Sequence, residues 1–130
     1  MNDSHTRCER PWGHFDTFIE NERCTVKILT VQKGEALSLQ RHKKRDQLYI
    51  ILDPIQIHYG PTQAELTIVD AVPYQTFYFP RGMLHRAVNN TENQVARYLE
   101  IATGKYDEED IERLDDRYGR HIPCRAGSSQ

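Results

Sequence analysis

Two short segments of this 130-residue chain carry side chains able to do chemistry together. The first reads Gly34-Glu-Ala-Leu-Ser-Leu-Gln40-Arg-His42-Lys-Lys-Arg-Asp46-Gln47, and the second Pro80-Arg-Gly82-Met-Leu-His85-Arg86-Ala-Val-Asn89. Gln40 and His42 stand two apart, so on an extended backbone both leave one face, opposite Leu37 and Leu39. The chain soon re-enters a strand, which brings Gln47 within reach of them. Pro80 and Gly82 turn the chain sharply and present His85 at the start of another strand. Imidazole nitrogens and amide oxygens converging inside a small barrel are donors for a divalent metal. Singly, these residues say little: a lone strand histidine is more often a packed or surface residue. Together with the glycine before the first group and the Pro-x-Gly turn before the second, they form a specific pattern.

Such donors need strands to hold them, and the chain supplies many. Cys24 to Val31 alternates and is rich in β-branched residues. Ala36 to Gln40 alternates again, Gln47 to Leu52 reads as a buried strand, and Ile55 to Tyr59 and Glu65 to Val69 follow. Gln75 to Phe79, His85 to Val88 and Gln94 to Thr103 complete the set, separated by Asp53-Pro54, Gly60-Pro61, Pro80-Arg81-Gly82 and Gly104. Short strands at this spacing predict an all-β sandwich or barrel. One helix is expected near the end: Asp107 caps Glu108 to Leu114, with acids in the first turn and Arg113 late.

The composition excludes several classes. Lys plus Arg number 17 and Asp plus Glu 19, a formal charge of −2, which argues against nucleic acid as a partner. No window reaches the ~18 apolar residues of a membrane span. Met1 to Arg10 is too polar for a signal peptide, so a cytoplasmic location is expected. Cys8, Cys24 and Cys124 are scattered, form neither a metal pair nor a disulfide framework, and are expected to be free thiols. One domain is expected over residues 9–120, between a flexible N-terminus at 1–8 and a C-terminal tail at 121–130. A small polar domain with strand edges to protect predicts a homodimer, with Glu9 to Gly13 able to cross to the partner.

The two segments resemble the two motifs of the cupins. More narrowly, the chain resembles the cupin domain of type II mannose-6-phosphate isomerase, which is often fused behind a mannose-1-phosphate guanylyltransferase and sometimes stands alone, the form expected here. The likeness starts at Glu9-Arg10-Pro11-Trp12-Gly13 and runs through Gly34-Glu35, Ser38-Leu39-Gln40-x-His42 and Pro80-x-Gly82-x-x-His85-Arg86. It ends with Thr103-Gly104-x-Tyr106, Asp110-Ile111-x-Arg113 and Asp116-x-Tyr118-Gly119-Arg120. The resemblance implies a single jelly-roll barrel with the short C-terminal helix appended. It implies metal ligands at Gln40, His42, Gln47 and His85, holding zinc, manganese, iron or nickel, and no organic cofactor. The family carries glutamate where this chain has Gln47, and tends to carry histidines where it has Lys43, Lys44 and Leu48. An amide brings no charge to a cation, so affinity should fall.

The activity implied is aldose–ketose isomerisation of a sugar phosphate, mannose 6-phosphate to fructose 6-phosphate, through a metal-assisted enediol. No nucleotidyl transfer is expected of these residues. Lys44 and Glu100 are candidate bases, and Arg86 a candidate to neutralise developing charge. Glu100 equally suits a structural pair with Arg97 or Arg10. Arg10 and Trp12 are candidates to close the mouth over substrate, though Trp12 also suits the core. The run Arg41-His42-Lys43-Lys44-Arg45 reads either as a solvated loop or, through Arg41 and Lys43, as a phosphate clamp. His5, His14, His58 and His121 have no partner pattern. The alternative reading is a divergent or non-catalytic cupin that binds a sugar, sugar phosphate or sugar nucleotide with a weakened or lost metal site. A related epimerase or dioxygenase ranks last, because only two histidines fall at the site.

Overall fold

A computed structural model describes residues 5–119. Strands β1 (Thr6–Arg10), β2 (Gly13–Ile19), β3 (Thr25–Val31), β4 (Leu39–Arg41), β5 (Arg45–Ile51) and β6 (Ile55–Gly60) come first. They are followed by β7 (Thr67–Ala71), β8 (Thr76–Phe79), β9 (Leu84–Val88), β10 (Ala96–Gly104) and β11 (Glu112–Asp115). They build two antiparallel sheets, a six-stranded one in the order β1-β2-β3-β10-β5-β8 and a five-stranded one in the order β11-β4-β9-β6-β7. This is the jelly roll. Its core is shared by both sheets, with Val31, Tyr49, Ile51, Phe79 and Tyr98 from the first meeting Ile57 and Ala87 from the second. No helix of the described residues is long and apolar enough to cross a membrane.

The expected helix over Glu108 to Leu114 is not formed. Asp110 N–H closes a turn on Asp107 O at 2.9 Å, and β11 then pairs with β4, setting Glu112 opposite Arg41 and Arg113 opposite Gln40. Two interactions override the local pattern. The Asp110 carboxylate accepts the Lys43 and Lys44 backbone N–H groups, each at 2.9 Å, and the open edge of β4 offers a ladder. A helix of about two turns has little intrinsic stability to set against them.

The N-terminal region also differs from expectation. Strand structure begins at Thr6, within the segment expected to be flexible, and β1 pairs with β2. Arg7 Nε donates to Asp16 Oδ1 at 2.9 Å across that pair. The expected tail at 121–130 lies outside the described residues. Cys24 is a free thiol, as expected, but Cys8 is disulfide-bonded.

The outer face of the six-stranded sheet has an apolar middle, bounded by Asp16 on β2 and Thr76 on β8. Register puts Ile28, Leu99 and Ile50 in one row across β3, β10 and β5, and Val26, Ile101, Leu48 and Tyr78 in the next. Six of these are half-buried and Tyr78 is 59% exposed. The middle of the outer face of β3, β5 and β10 is therefore apolar, whereas their inner face mixes core side chains with Lys27, Arg45, Gln47 and Glu100.

Candidate functional site

Strands β3, β4, β5, β9 and β10 and the turn after β8 position the site. Gln40 on β4 pairs in register with His85 on β9. On β10, Glu100 lies between Lys27 of β3 and Tyr49 of β5, and Ala102 lies opposite Gln47. The turn after β8 is closed by Met83 N–H on Pro80 O at 3.1 Å. Within it Gly82, at φ 85°, donates its N–H to His42 O at 2.8 Å, tying the two sequence segments together. The His85 ring stacks on Phe79 at 4.7 Å between centroids, and the His42 and His85 centroids are 5.3 Å apart.

Each ring is oriented by main chain. His42 Nδ1 lies 2.7 Å from Asp110 O, and His85 Nδ1 lies 3.1 Å from Met83 O. A carbonyl only accepts, so Nδ1 carries the proton in both rings and Nε2 presents a lone pair. Burial disfavours the imidazolium. It pushes His42 down to about 2, with the Arg45 charge adding to the effect, and His85 down to about 4. The Arg45 guanidinium is itself buried. It reaches His42 Nε2 at 3.4 Å and donates to Asp107 O at 3.0 Å. Gln47 Oε1, His85 Nε2 and Arg45 Nε are buried and have no partner among the described residues.

Arg45 and Gln47 line a cavity of about 60 Å³ that opens to solvent, room for about four waters, and His85 lies behind its wall, against the lining residue Tyr49. Arg10, Lys27, Arg45 and Arg113 line the cavity against Glu100 and Glu108, a formal excess of positive charge. Three of the cations interleave with aromatic rings. Arg10 lies over Phe15 at 5.4 Å, Lys27 Nζ over Phe15 at 4.1 Å and over Tyr106 at 3.7 Å, and Arg45 over Tyr106 at 4.4 Å. Lys27 also donates to the Tyr106 hydroxyl. Burial brings the Lys27 ammonium down to about 7, with the Glu100 carboxylate opposing the shift. The sequence reading missed Lys27, Tyr106 and the burial of Arg45. Lys27 shares the parity of Leu29 and Val31, but Val26 and Ile28 make the other parity of β3 apolar as well, so the pattern alone did not show which face points inward.

The structure distributes the expected site residues over several places. Arg10, Trp12, Gln40, Gln47 and Glu100 reach the cavity, with His42 and His85 buried beside it. Arg41 and Lys43 instead line a surface groove with Asp110 and Glu112, where Arg41 Nε donates to Glu112 at 2.8 Å. Lys44 is exposed on the same loop. Arg86 sits on the outer face of β9, donating to His58 Nδ1 and to Asp115, each at 3.0 Å. The closing motif braces the turn at Gly34 and Glu35. Arg117 donates to Gly34 O at 2.9 Å, and the Tyr118 hydroxyl donates to Glu35.

The donor chemistry does not fit a tightly held divalent metal. Gln40, His42, Gln47 and His85 are all neutral donors, and no cluster of three or more His, Cys, Asp or Glu among the described residues forms a metal site. Arg45 already engages the His42 lone pair. A metal ion would satisfy the open acceptors at Gln47 and His85 but would face the buried Arg45 N–H as a like charge.

Comparison with known proteins gives the following. The family described as "Mannose-6-phosphate isomerase C-terminal" matches residues 1–116. The xanthan biosynthesis protein XanB of Xanthomonas campestris is 35% identical over 89% of this chain and 24% of its own length. The mannose-1-phosphate guanylyltransferase ManC of Salmonella typhimurium is 32% identical over 89% of the chain and 23% of its own. The alginate biosynthesis protein AlgA of Pseudomonas fluorescens is 33% identical over 97% and 25%. The chain thus spans about a quarter of the length of the curated relatives it matches. Among solved structures, the capsular polysaccharide assembling protein CapF of Staphylococcus aureus aligns with TM-score 0.74 at 14% identity, over 85% of this chain and 34% of that one. Oxalate decarboxylase of Bacillus subtilis aligns with TM-score 0.69 at 20% identity, over 86% and 30%. At these identities the likeness is one of fold. The matches correct the expectation of a stand-alone mannose-6-phosphate isomerase: the relatives bear guanylyltransferase and polysaccharide-biosynthesis names, and the chain corresponds to only a fraction of each.

Proposed function

The chain belongs to the mannose-6-phosphate isomerase C-terminal family, a cupin family, and on that premise we propose that it is a divergent cupin that binds a sugar, sugar phosphate or sugar nucleotide in its barrel, with a weakened or lost metal site. The observation that carries this reading is the cavity itself. Its walls bring Arg10, Lys27, Arg45 and Arg113 together against two carboxylates, around a recess that takes the head of a ligand and leaves the rest at the mouth. Guanidinium and ammonium groups recognise phosphate by charge-assisted bonds, and Trp12 and the glutamine amides suit a sugar ring. The relatives XanB and AlgA are named for xanthan and alginate biosynthesis, and polysaccharide biosynthesis is the setting proposed for this chain. Calorimetric titration of the purified chain with mannose, mannose 6-phosphate, mannose 1-phosphate and GDP-mannose tests the reading. Saturable binding of at least one, weakened by Arg45→Leu, is expected. No binding of any of them would sink it.

The homodimer is proposed here at the outer face of the six-stranded sheet. At about 4.8 by 7 Å per outward side chain, six strands offer roughly 600 Å² in plan, close to the ~800 Å² per partner that stable dimers bury. The two apolar rows lie near the middle of that face, where a second copy packs sheet on sheet.

A further inference from the structure

Within this ligand-binding reading, on which the inference rests, we infer that the barrel works without a metal: Arg45 is its resident cation, and ligand hydroxyl groups bond directly to Gln47, His85 and Arg45. Unpartnered buried polar atoms are rare in folded proteins and costly, so each needs an account. The three here differ in kind. Gln47 Oε1 and His85 Nε2 accept, since the His85 proton is on Nδ1 facing Met83 O. Arg45 Nε donates. A metal ion satisfies acceptors only. A hydroxyl group donates one hydrogen bond and accepts others, so a pair of adjacent hydroxyls satisfies the whole set.

Placement agrees with this assignment. Arg45 and Gln47 are alternate residues of β5, so their side chains leave the same face about 7 Å apart. Gln47 is paired in register with Phe79, and the His85 ring stacks flat on that same Phe79. Arg45 and Gln47 of the six-stranded sheet thus approach His85 of the five-stranded one, with Phe79 between Gln47 and the His85 ring. Arg45 is fixed there by Asp107 O, by the His42 lone pair and by the Tyr106 ring beneath it. A cation held on three sides is not readily displaced by an incoming ion. The ligand class assigned is a polyol with adjacent hydroxyls, entering hydroxyl edge first. Any phosphate then lies toward Arg10 and Arg113 nearer the mouth.

The test combines metal analysis with titration. The full chain is dialysed against chelator, and its metal content is measured before and after incubation with zinc, manganese, iron and nickel salts. The sugar panel is titrated with and without each ion. Substoichiometric metal throughout, with sugar affinity unchanged by chelator, is expected. Gln47→Leu and His85→Phe should each weaken binding of unphosphorylated mannose about tenfold, the loss of one buried hydrogen bond. His85→Phe keeps the stack on Phe79, so a normal melting curve separates lost contact from lost fold. Gln47→Glu should gain metal binding. Stoichiometric metal in the unmodified chain, binding that needs an added ion, or binding indifferent to both Gln47→Leu and His85→Phe would overturn the inference while leaving the ligand-binding reading in place. No binding under any condition would overturn both.

Discussion

Lys27 shows how much one buried side chain can decide. Its ammonium is caged by Phe15 and Tyr106 and faces Glu100, with Glu108, Arg45 and Arg10 also acting on it. Burial lowers its pKa from 10.5 to about 7, so the amine loses its proton earlier in the folded chain than in the unfolded one. Between those values the unfolded state binds more protons, and stability from this group rises as pH rises from about 7 toward 10.5. Affinity for an anionic ligand runs the other way, strongest below about 7 and falling above it. Denaturant melts and titrations with GDP-mannose across that range should therefore show opposite trends. Lys27→Met should flatten the binding trend and weaken the anionic ligand about tenfold. A site that uses Arg10 and Arg113 alone would leave the trend unchanged.

At the level of strands and turns, much was legible. The alternation in β3, β5, β6 and β10 announced them because one parity of each is packed inside. The gathering of Gln40, Gln47 and His85 was legible too, since two-residue periodicity fixes which way a strand residue points. What the sequence hid has physical causes. In β3 both parities are apolar, Val26 and Ile28 outside and Leu29 and Val31 inside, so alternation could not say on which side Lys27 lies. Arg45 ends a run of charged and basic residues that reads as solvated loop, yet it begins a strand and turns inward. The acids around Asp107 mimic a helix start, while the partner that makes them a turn, the Lys43–Lys44 backbone, is far off in sequence. Gly104 gives a test at this scale. It sits at φ 96°, and a Cβ there would lie 2.4 Å from Lys44 O. Gly104→Ala should destabilise the chain by about 1–3 kcal/mol and loosen the loop that carries His42, read as a lower melting temperature. An unchanged melt would mean that β10 ends differently in solution.

For the molecule as a whole, the outer sheet face is the feature with the widest reach. Leu99→Glu places a charge in the middle of it without touching the barrel interior. Light scattering should then report half the mass of the unmodified protein, with ligand affinity retained. Equal masses for the two would rule out this face as the dimer contact. The two hydrophobic rows also bear on how the protein behaves outside concentrated stocks. If association shields them, part of the folding free energy is supplied by mass action, and dilution itself becomes a denaturing influence. The midpoint of thermal unfolding should then slide downward as the solution is thinned, whereas a self-sufficient barrel would melt at one temperature at every dilution.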